Sequence, residues 1–179
     1  MPTYVPRLTA PSTSDPLYYS NQNPYYASGW GMPNCTAYAW GRAWELVGGQ
    51  QSTQYPNGVP IAPNYNAEDW YNYNDGWPRG QTPQLGAIAC YQDGDFSGWG
   101  HVCVLERDNG DNTWLVSESA LNSYTFRASH SIAASGAYGY GNYIFQGFIY
   151  VPWTGGGGGG GNFKWWMARK KLITKRQGY

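Results

Sequence analysis

NCTAYAWGRAWELVGG, from Asn34 to Gly49, is the stretch from which the rest of the fold can be predicted, because it places Cys35 where a helix is expected to begin. Asn34 is a favourable N-cap, and the proline before it discourages an earlier helical start. Apolar residues then recur at three- and four-residue spacing, as on one face of a helix: Ala37, Tyr38, Trp40, Ala43, Trp44 and Val47. The Gly-Gly pair that closes the stretch is expected to end this helix.

Cys35 is a candidate nucleophile because of this position. A thiol in the first turn of a helix lies among unpaired backbone N–H groups at the positive end of the helix dipole, which favours the thiolate over the thiol. A small buried cysteine in a core helix is the alternative explanation. The assignment therefore depends on whether the chain supplies partners for a thiolate.

The composition indicates one loop-rich domain with appended segments. Aromatic residues make up 18% of the 179 residues while Leu, Ile and Val are scarce, so burial must depend on Trp and Tyr. The formal net charge is zero, but residues 1–154 contain five arginines against all eleven acidic residues, a net −6, and the remaining six basic residues follow them. This asymmetry predicts two parts with different partners, and the acidic body argues against nucleic acid.

The sequence contains no apolar run that would serve as a signal peptide or a membrane-spanning helix. We therefore expect synthesis in a host cytoplasm without a signal peptide. Three cysteines cannot all pair within one chain, which fits a reducing compartment. Cys90 and Cys103 fall in apolar strand-like runs and are expected to be buried thiols, although a bridge between them is left open.

The regions on either side of the helix are interpreted as mostly irregular. Residues 1–33 contain six prolines and are expected to form an extended arm, pressed onto the body by four tyrosines for which sugar stacking is an alternative role: Tyr18, Tyr19, Tyr25 and Tyr26. After the helix, residues 50–64 read as a loop. The segment NAEDWYNY then predicts one short helix in which Asn66 and Asp69 form a capping pair.

From Leu85 onward the pattern predicts strands. The runs are LGAIACY (85–91), HVCVLER (101–107), NTWLVSE (112–118), SYTFRA (123–128) and NYIFQGFIYVP (142–152). Asp93-Gly94 and Asn109-Gly110 supply tight turns between successive runs, so antiparallel neighbours are expected. A helix followed by such a sheet indicates an α+β fold.

Two of these runs supply partners for the thiolate. His101 opens the second run and can hold an ion pair with the thiolate and later protonate a leaving amine. Glu118, with 16 residues between it and His101, ends the third run and can fix the tautomer of the imidazole from the adjacent strand. His130 lies in ASHSIAASGAYGYG (128–141), which we interpret as a mobile loop, so we expect a solvated histidine there.

NCTAYAWGR, LGAIACY, GHVCVLE and WLVSES together resemble the CHAP domains, the cysteine, histidine-dependent amidohydrolase/peptidase family of peptidoglycan hydrolases. The resemblance covers about residues 20–153. It implies a papain-like α+β fold, in which an N-terminal helix bearing the cysteine packs on an antiparallel sheet. It also implies cleavage of cell-wall amide bonds without a cofactor, with Cys35 as nucleophile, His101 as base and Glu118 as the orienting acid.

Two asparagines are expected to assist at this site, and no metal is expected. The backbone N–H of Cys35 and the side chain of Asn34 would help to hold an oxyanion. Many family members have an asparagine two positions after the acid, where this chain has Ala120; Asn122 would point to the same strand face as Glu118 and act from farther along. Some relatives bind calcium through aspartates just before the cysteine, but residues 20–34 contain no acidic residue.

The sequence therefore divides into an extended arm (1–19), a CHAP-like catalytic domain (20–153), a glycine-rich linker (154–161) and a basic aromatic tail (162–179). The glycines form a flexible tether. The tail residues Trp165, Trp166, Lys170 and Lys171 are typical of contact with an anionic membrane or wall polymer. Packing of the tail on the acidic body or on a virion protein is the alternative.

The predicted function is hydrolysis of an amide bond in peptidoglycan by a phage-type lysin. Such an enzyme would reach the bacterial cell wall after release by a holin or as part of a virion. The alternative function is that of a non-catalytic cell-wall-binding or virion structural protein with the same fold. The presence of Cys35, His101 and Glu118 together favours the enzyme.

Overall fold

A computed structural model describes residues 3–95 and 98–153 of the chain. In these residues, three helices precede a six-stranded antiparallel sheet. The helices are α1 (Pro16–Tyr19), α2 (Pro24–Ala27) and α3 (Cys35–Leu46), and a single 3-10 turn follows at Ala67–Asp69. The strands are β1 (Arg79–Gly80), β2 (Ile88–Asp93), β3 (His101–Asp108), β4 (Thr113–Ala120), β5 (Tyr124–Ala133) and β6 (Tyr143–Ile149), in the order β1-β6-β2-β3-β4-β5. This papain-like α+β arrangement confirms the predicted fold class.

Helix α3 forms as its sequence predicts. Asn34 adopts an extended backbone and its side-chain oxygen accepts a hydrogen bond from the Thr36 N–H at 2.9 Å, which caps the first turn. Nine of its residues, Thr36 to Trp44, are buried. The helix packs on β3 and β4, so its first turn, with Cys35, is held against the sheet.

Gly41 lets α1 lie directly against α3. A Cβ at this position would come within 2.8 Å of the Leu17 carbonyl oxygen and within 2.7 Å of the Tyr18 ring. Such distances are too short for a side chain of any kind. The only helical residue that permits this crossing is therefore glycine, and its cost in helix propensity is offset by the close packing.

The sheet buries apolar residues on both faces, and the two strand cysteines lie on different ones. Cys90 pairs across the ladder with Val102, not with Cys103, and directly opposed residues share a face. Cys90 accordingly belongs to the cluster that includes α3, whereas Cys103 belongs to a second cluster with Leu105. Both thiols are buried and free, as predicted, and the bridge left open by the sequence is not formed.

The predicted arm is only partly irregular. Helices α1 and α2 each begin with proline after a capping side chain, Asp15 and Asn23, so the expectation of an arm with little regular structure is wrong for these two turns. Nearer the terminus, the Tyr4 hydroxyl donates to the buried carboxylate of Glu106 at 2.6 Å. The Arg42 guanidinium pairs with the same carboxylate at 2.9 Å, which ties the arm and α3 to β3.

Three local predictions are wrong. NAEDWYNY forms only a three-residue 3-10 turn, and Asn66 makes no side-chain cap. At Asp93-Gly94, β2 ends at Asp93 and seven residues, 94–100, connect it to β3 instead of a tight turn. Strand β5 continues to Ala133, so His130 lies on a strand and not in a mobile loop.

The linker and tail predictions, including Trp165, Trp166, Lys170 and Lys171, lie outside the described residues. Within the part of the chain that is described, none of the helices combines the length and the hydropathy needed to cross a membrane. The division of the chain into four segments stays a prediction.

Candidate active site

The start of β3 and the end of β4 meet at one end of the sheet because the two strands are antiparallel. His101 is the first residue of β3 and Glu118 is near the end of β4. The His101 Nε2 and Glu118 Oε2 atoms are 2.6 Å apart. His101 is 4% exposed and Glu118 is fully buried, so water competes little for this contact.

Cys35 approaches the same imidazole from the helix. The residue is half-buried, and its thiol is close enough to His101 to be one of the groups that raise the pKa of the imidazole. Because Nε2 of His101 faces Glu118, we infer that Nδ1 is the ring nitrogen left for Cys35. Helix α3 and strand β4 therefore converge on the histidine that begins β3.

Gly100 explains how His101 can enter the strand at this point. Its φ is +70°, a left-handed conformation that favours glycine. A Cβ there would collide with the Tyr91 carbonyl oxygen on β2 and approach the Glu68 N–H to within 2.7 Å. Glycine before His101 is thus a steric requirement of the site.

Glu118 accepts hydrogen bonds at both of its oxygens. Oε2 accepts from the Tyr138 hydroxyl at 2.5 Å as well as from His101. Oε1 faces the Arg127 guanidinium at 2.6 Å and the His130 Nδ1 at 3.1 Å. Such a set of donors favours the ionised carboxylate strongly, even in a fully buried position.

The protonation states of His101 and Glu118 follow from these contacts. Burial alone would lower the pKa of His101, but its hydrogen bonds and charge interactions with Cys35 and Glu118 outweigh burial and raise the pKa to about 9. Burial alone would raise the pKa of Glu118, but hydrogen bonds from His101 and His130, the charge of His101 and the hydrogen bond from Tyr138 hold it well below 4.5. The pair is therefore an imidazolium and a carboxylate at neutral pH.

These shifts have opposite consequences for stability. The folded-state pKa of His101 is raised, so its contribution is complete below about pH 6.5 and is lost as the pH rises through about 9. The pKa of Glu118 is lowered, so its contribution is complete above about pH 4.5 and is lost as the pH falls through the folded value. The ion pair therefore stabilises the fold most between these limits.

Arg127, His130 and Tyr138 are site residues that the sequence reasoning missed. His130 was expected to be solvated, but its side chain is only 9% exposed and its Nε2 is 2.8 Å from the Tyr138 carbonyl oxygen. Arg127 lies directly opposite Glu118 in the β4–β5 ladder. Arg127 belongs to the run SYTFRA, which the sequence predicts as a strand without indicating a partner for it, whereas nothing in the sequence indicated Tyr138.

The structure places the two asparagines that were expected to assist in different surroundings. The Asn34 side-chain oxygen is used in capping, where it also accepts from the Thr36 hydroxyl at 2.6 Å. Asn122 lies in the turn between β4 and β5, is exposed and has a φ of +57°. The expectation that it points to the same strand face as Glu118 is therefore wrong, because β4 has already ended at Ala120.

In the described residues, no group of three or more His, Cys, Asp or Glu side chains is arranged to hold a metal ion.

Cys35 is expected to react with iodoacetamide almost as fast at pH 6 as at pH 8. A position in the first turn of a helix and beside an imidazole is typical of reactive cysteines, whereas an ordinary thiol with a pKa of about 8.5 would slow by about 75-fold over the same interval. Mass spectrometry of the labelled protein measures the rate. Cys90 and Cys103 are fully buried and should not react. Labelling of the Cys35→Ser variant is the control that checks this. A loss of rate like that of an ordinary thiol would contradict the ion pair.

Comparison with known proteins gives one family match. A family model described as the CHAP domain matches residues 22–120 of this chain. The matched segment contains Cys35, His101 and Glu118. It ends before Arg127, His130 and Tyr138, so the residues that surround the Glu118 carboxylate from β5 and the following loop lie outside it.

Two similar proteins come from Staphylococcus aureus. The protein named "Probable autolysin SsaALP" (strain NCTC 8325 / PS 47) is 31% identical over 125 residues, which are 68% of this chain and 39% of the autolysin. A crystal structure of an N-acetylmuramoyl-L-alanine amidase is 23% identical with a TM-score of 0.43, over 65% of this chain and 32% of the amidase chain. This chain thus spans well under half of either protein.

Proposed function

This chain belongs to the CHAP domain family, and from that premise we propose that it is a peptidoglycan hydrolase in which Cys35, His101 and Glu118 cleave an amide bond of the bacterial cell wall. The observation that carries the proposal is the convergence of a helix-terminal thiol and a buried carboxylate on one imidazole. A buried structural histidine needs no such pair of partners.

The geometry supports a two-step displacement. The Cys35 thiolate attacks the amide carbonyl carbon, and the C=O electron pair moves onto oxygen, where the Cys35 backbone N–H can donate to the oxyanion. As the C–N bond breaks, the His101 imidazolium gives its proton to the departing amine, which leaves a thioester. Neutral His101 then takes a proton from water, whose oxygen attacks the thioester. The acid product leaves, and the thiolate and imidazolium are restored.

Glu118 keeps its negative charge throughout this cycle. Its two oxygens already accept hydrogen bonds from four residues, and its pKa lies well below the neutral range. The carboxylate therefore orients His101 and stabilises the imidazolium without taking its proton.

The test is incubation of the protein with purified cell walls. We expect turbidity to fall and new amino termini to appear, and mass spectrometry of the fragments identifies the bond that is cut, either the bond between muramic acid and L-Ala or one within the peptides. The alternative function, a non-catalytic wall-binding or virion structural protein, predicts that the protein sediments with the walls without release of new amino termini. That result would contradict the enzyme.

Trp30 and Trp99 provide a surface for substrate beside the candidate nucleophile. They are 55% and 59% exposed, and their ring centroids are 6.4 Å apart. Trp99 lies two residues before His101, and Trp30 lies five residues before Cys35. Large exposed aromatic side chains at this place favour contact with a ligand, because they would otherwise be a liability in water.

Replacing Trp99 or Trp30 by alanine is expected to raise KM for soluble wall fragments about fivefold, which corresponds to the loss of about 1 kcal/mol of aromatic contact, while kcat changes less than about twofold. Such a result is typical of binding that is equal in the ground and transition states. Trp99→Tyr, which keeps an aromatic ring, is the matched control and should retain most of the affinity. Unchanged KM in both alanine variants would remove these residues from the substrate site.

The remaining functional assignments rest on the sequence alone and are part of this proposal. The glycine-rich segment 154–161 would tether the domain, and Trp165, Trp166, Lys170 and Lys171 would hold it near an anionic membrane or wall polymer. Release by a holin or transport in a virion is the corresponding route to the wall. Loss of wall binding in a chain truncated after residue 153, with hydrolysis of soluble fragments retained, would support the tail's role.

A further inference from the structure

Tyr138 touches both members of the His101–Glu118 pair with a single hydroxyl. It lies in the loop between β5 and β6 and is 4% exposed. Its oxygen is 2.5 Å from Glu118 Oε2 and 3.2 Å from His101 Nε2, and the Arg127 Nη2 donates to it at 3.2 Å. Four polar groups therefore meet at the Nε2 edge of the imidazole.

The directions of these hydrogen bonds follow from the chemistry of the groups. A phenol has one proton to donate and lone pairs to accept with, whereas an ionised carboxylate only accepts and a guanidinium only donates. The Tyr138 proton must therefore point to Glu118, and its lone pairs face Arg127 and the Nε2–H of His101. Burial, and after it the charge of Glu118, raise the pKa of Tyr138 far above its ordinary value, so the hydroxyl keeps its proton.

We propose that Tyr138 is a positioning residue of the candidate active site, which holds His101 with Nε2–H toward Glu118 and Nδ1 toward Cys35. This inference rests on the proposed function for its catalytic consequence. Two residues beyond Glu118, Ala120 has no polar group to offer, and Asn122 lies in the exposed turn after β4. A tyrosine from the next loop thus completes the support of the imidazole.

The aromatic ring of Tyr138 has a separate role in packing. Its centroid is 4.5 Å from that of His130, 5.1 Å from that of Tyr91 and 5.2 Å from that of His101. Removing the whole side chain would therefore disturb the second core cluster. Tyr138→Phe keeps these ring contacts and removes only the hydroxyl.

Tyr140→Phe is the matched control. Its ring also packs on His130, at 4.5 Å, and on Tyr138, at 4.9 Å, yet the residue is 48% exposed. Among the described residues, its hydroxyl is not hydrogen-bonded to either His101 or Glu118. Both variants make the same chemical change two residues apart, so the difference between them isolates the hydroxyl at the imidazole.

The experiment has one readout without substrate and one with it. The ratio of the Cys35 alkylation rate at pH 6 to that at pH 9.5 reports the interaction between Cys35 and His101. A change in how easily the reagent reaches the thiol affects both rates equally and leaves the ratio unchanged. The titratable and charged groups around the imidazole are the same in both variants apart from the altered hydroxyls: Cys35, Tyr91, Glu118, Arg127, His130 and Tyr143. We expect Tyr138→Phe to lower this ratio at least threefold and to lower kcat on wall fragments about 10-fold or more with KM nearly constant. Tyr140→Phe should match the unaltered protein in both.

Each other outcome is decisive. If Tyr138→Phe matches Tyr140→Phe in alkylation and in kcat, the positioning role is wrong. If the unaltered protein cleaves no wall fragment, the proposed function fails, and the alkylation ratio still tests Tyr138. If Tyr138→Phe does not fold, NMR of the unaltered protein takes its place: a cross-peak between the Tyr138 hydroxyl proton and a His101 ring proton supports the contact, and its absence overturns the inference.

Discussion

Replacing Cys35 by alanine is expected to reduce hydrolysis of cell walls by at least about a thousandfold. The methyl group offers no electron pair to attack the carbonyl carbon, and no other thiol can take its place because Cys90 and Cys103 are fully buried. The half-buried side chain at the first turn of α3 contributes little to the core, so the melting temperature should change by only a few degrees. Turbidity of purified walls and a thermal melt measure the two effects.

Cys90→Ala is the control for this prediction. It removes a thiol from the helix-side cluster and should lower stability by about 1–2 kcal/mol as a small cavity forms, while activity per folded molecule stays near that of the unaltered protein. Hydrolysis that survives in Cys35→Ala would contradict the nucleophile. Loss of hydrolysis in Cys90→Ala at a temperature where it is folded would show that the assay reports stability and not chemistry.

Replacing Glu118 by glutamine is expected to cost both activity and stability. The amide is neutral and keeps only one acceptor oxygen, so the imidazolium of His101 and the guanidinium of Arg127 lose their shared anion in a buried place. Leaving such charges unpaired costs about 3–5 kcal/mol. In addition, we expect kcat to fall by about 10²–10⁴, because the imidazole loses the acceptor that selects its tautomer.

Glu106→Gln separates these two effects. Glu106 is as fully buried as Glu118 and is also bound to an arginine, Arg42, at 2.9 Å, but its partners are the arm and Ser117 instead of His101. The free energy of unfolding of the Glu106→Gln variant, measured in urea, should fall by about as much as that of Glu118→Gln. Under conditions where the variant is folded, its kcat and the pH profile of Cys35 alkylation should stay unchanged. If both variants lose only stability, Glu118 has a structural role alone.

The pH dependence of Glu118→Gln should also change. In the unaltered protein, the His101 contribution to stability is lost as the pH rises through about 9. Without the carboxylate, one of the interactions that raise the pKa of His101 is removed, so this loss should begin at a lower pH. Unfolding midpoints measured between pH 6 and pH 10 for both proteins provide the comparison, and parallel curves would contradict the coupling of the two groups.

The β4–β5 pairing explains why the surroundings of Glu118 could not be read from the sequence. Val116 lies opposite His130, and uninterrupted antiparallel pairing would then bring Ala128 opposite Glu118. A register shift between Val116 and Glu118 brings Arg127 there instead. A strand pattern predicts which face a residue occupies, but a single inserted residue changes which side chain opposes it.

The sequence by itself determined the helix that bears Cys35, the α+β order, and the pairing of His101 with Glu118. Each of these depends on interactions between near neighbours: a cap two residues from its N–H, a repeat along one helix face, and two strands joined by a short turn.

Only the tertiary structure decided the support of that pair and the place of the arm. Tyr138 comes 20 residues after Glu118, and Tyr4 reaches Glu106 from 102 residues away. Such contacts depend on a bulge, a loop path and the burial of charged groups that must find partners once water is excluded. These conditions arise from the whole fold, so no local pattern in the chain records them.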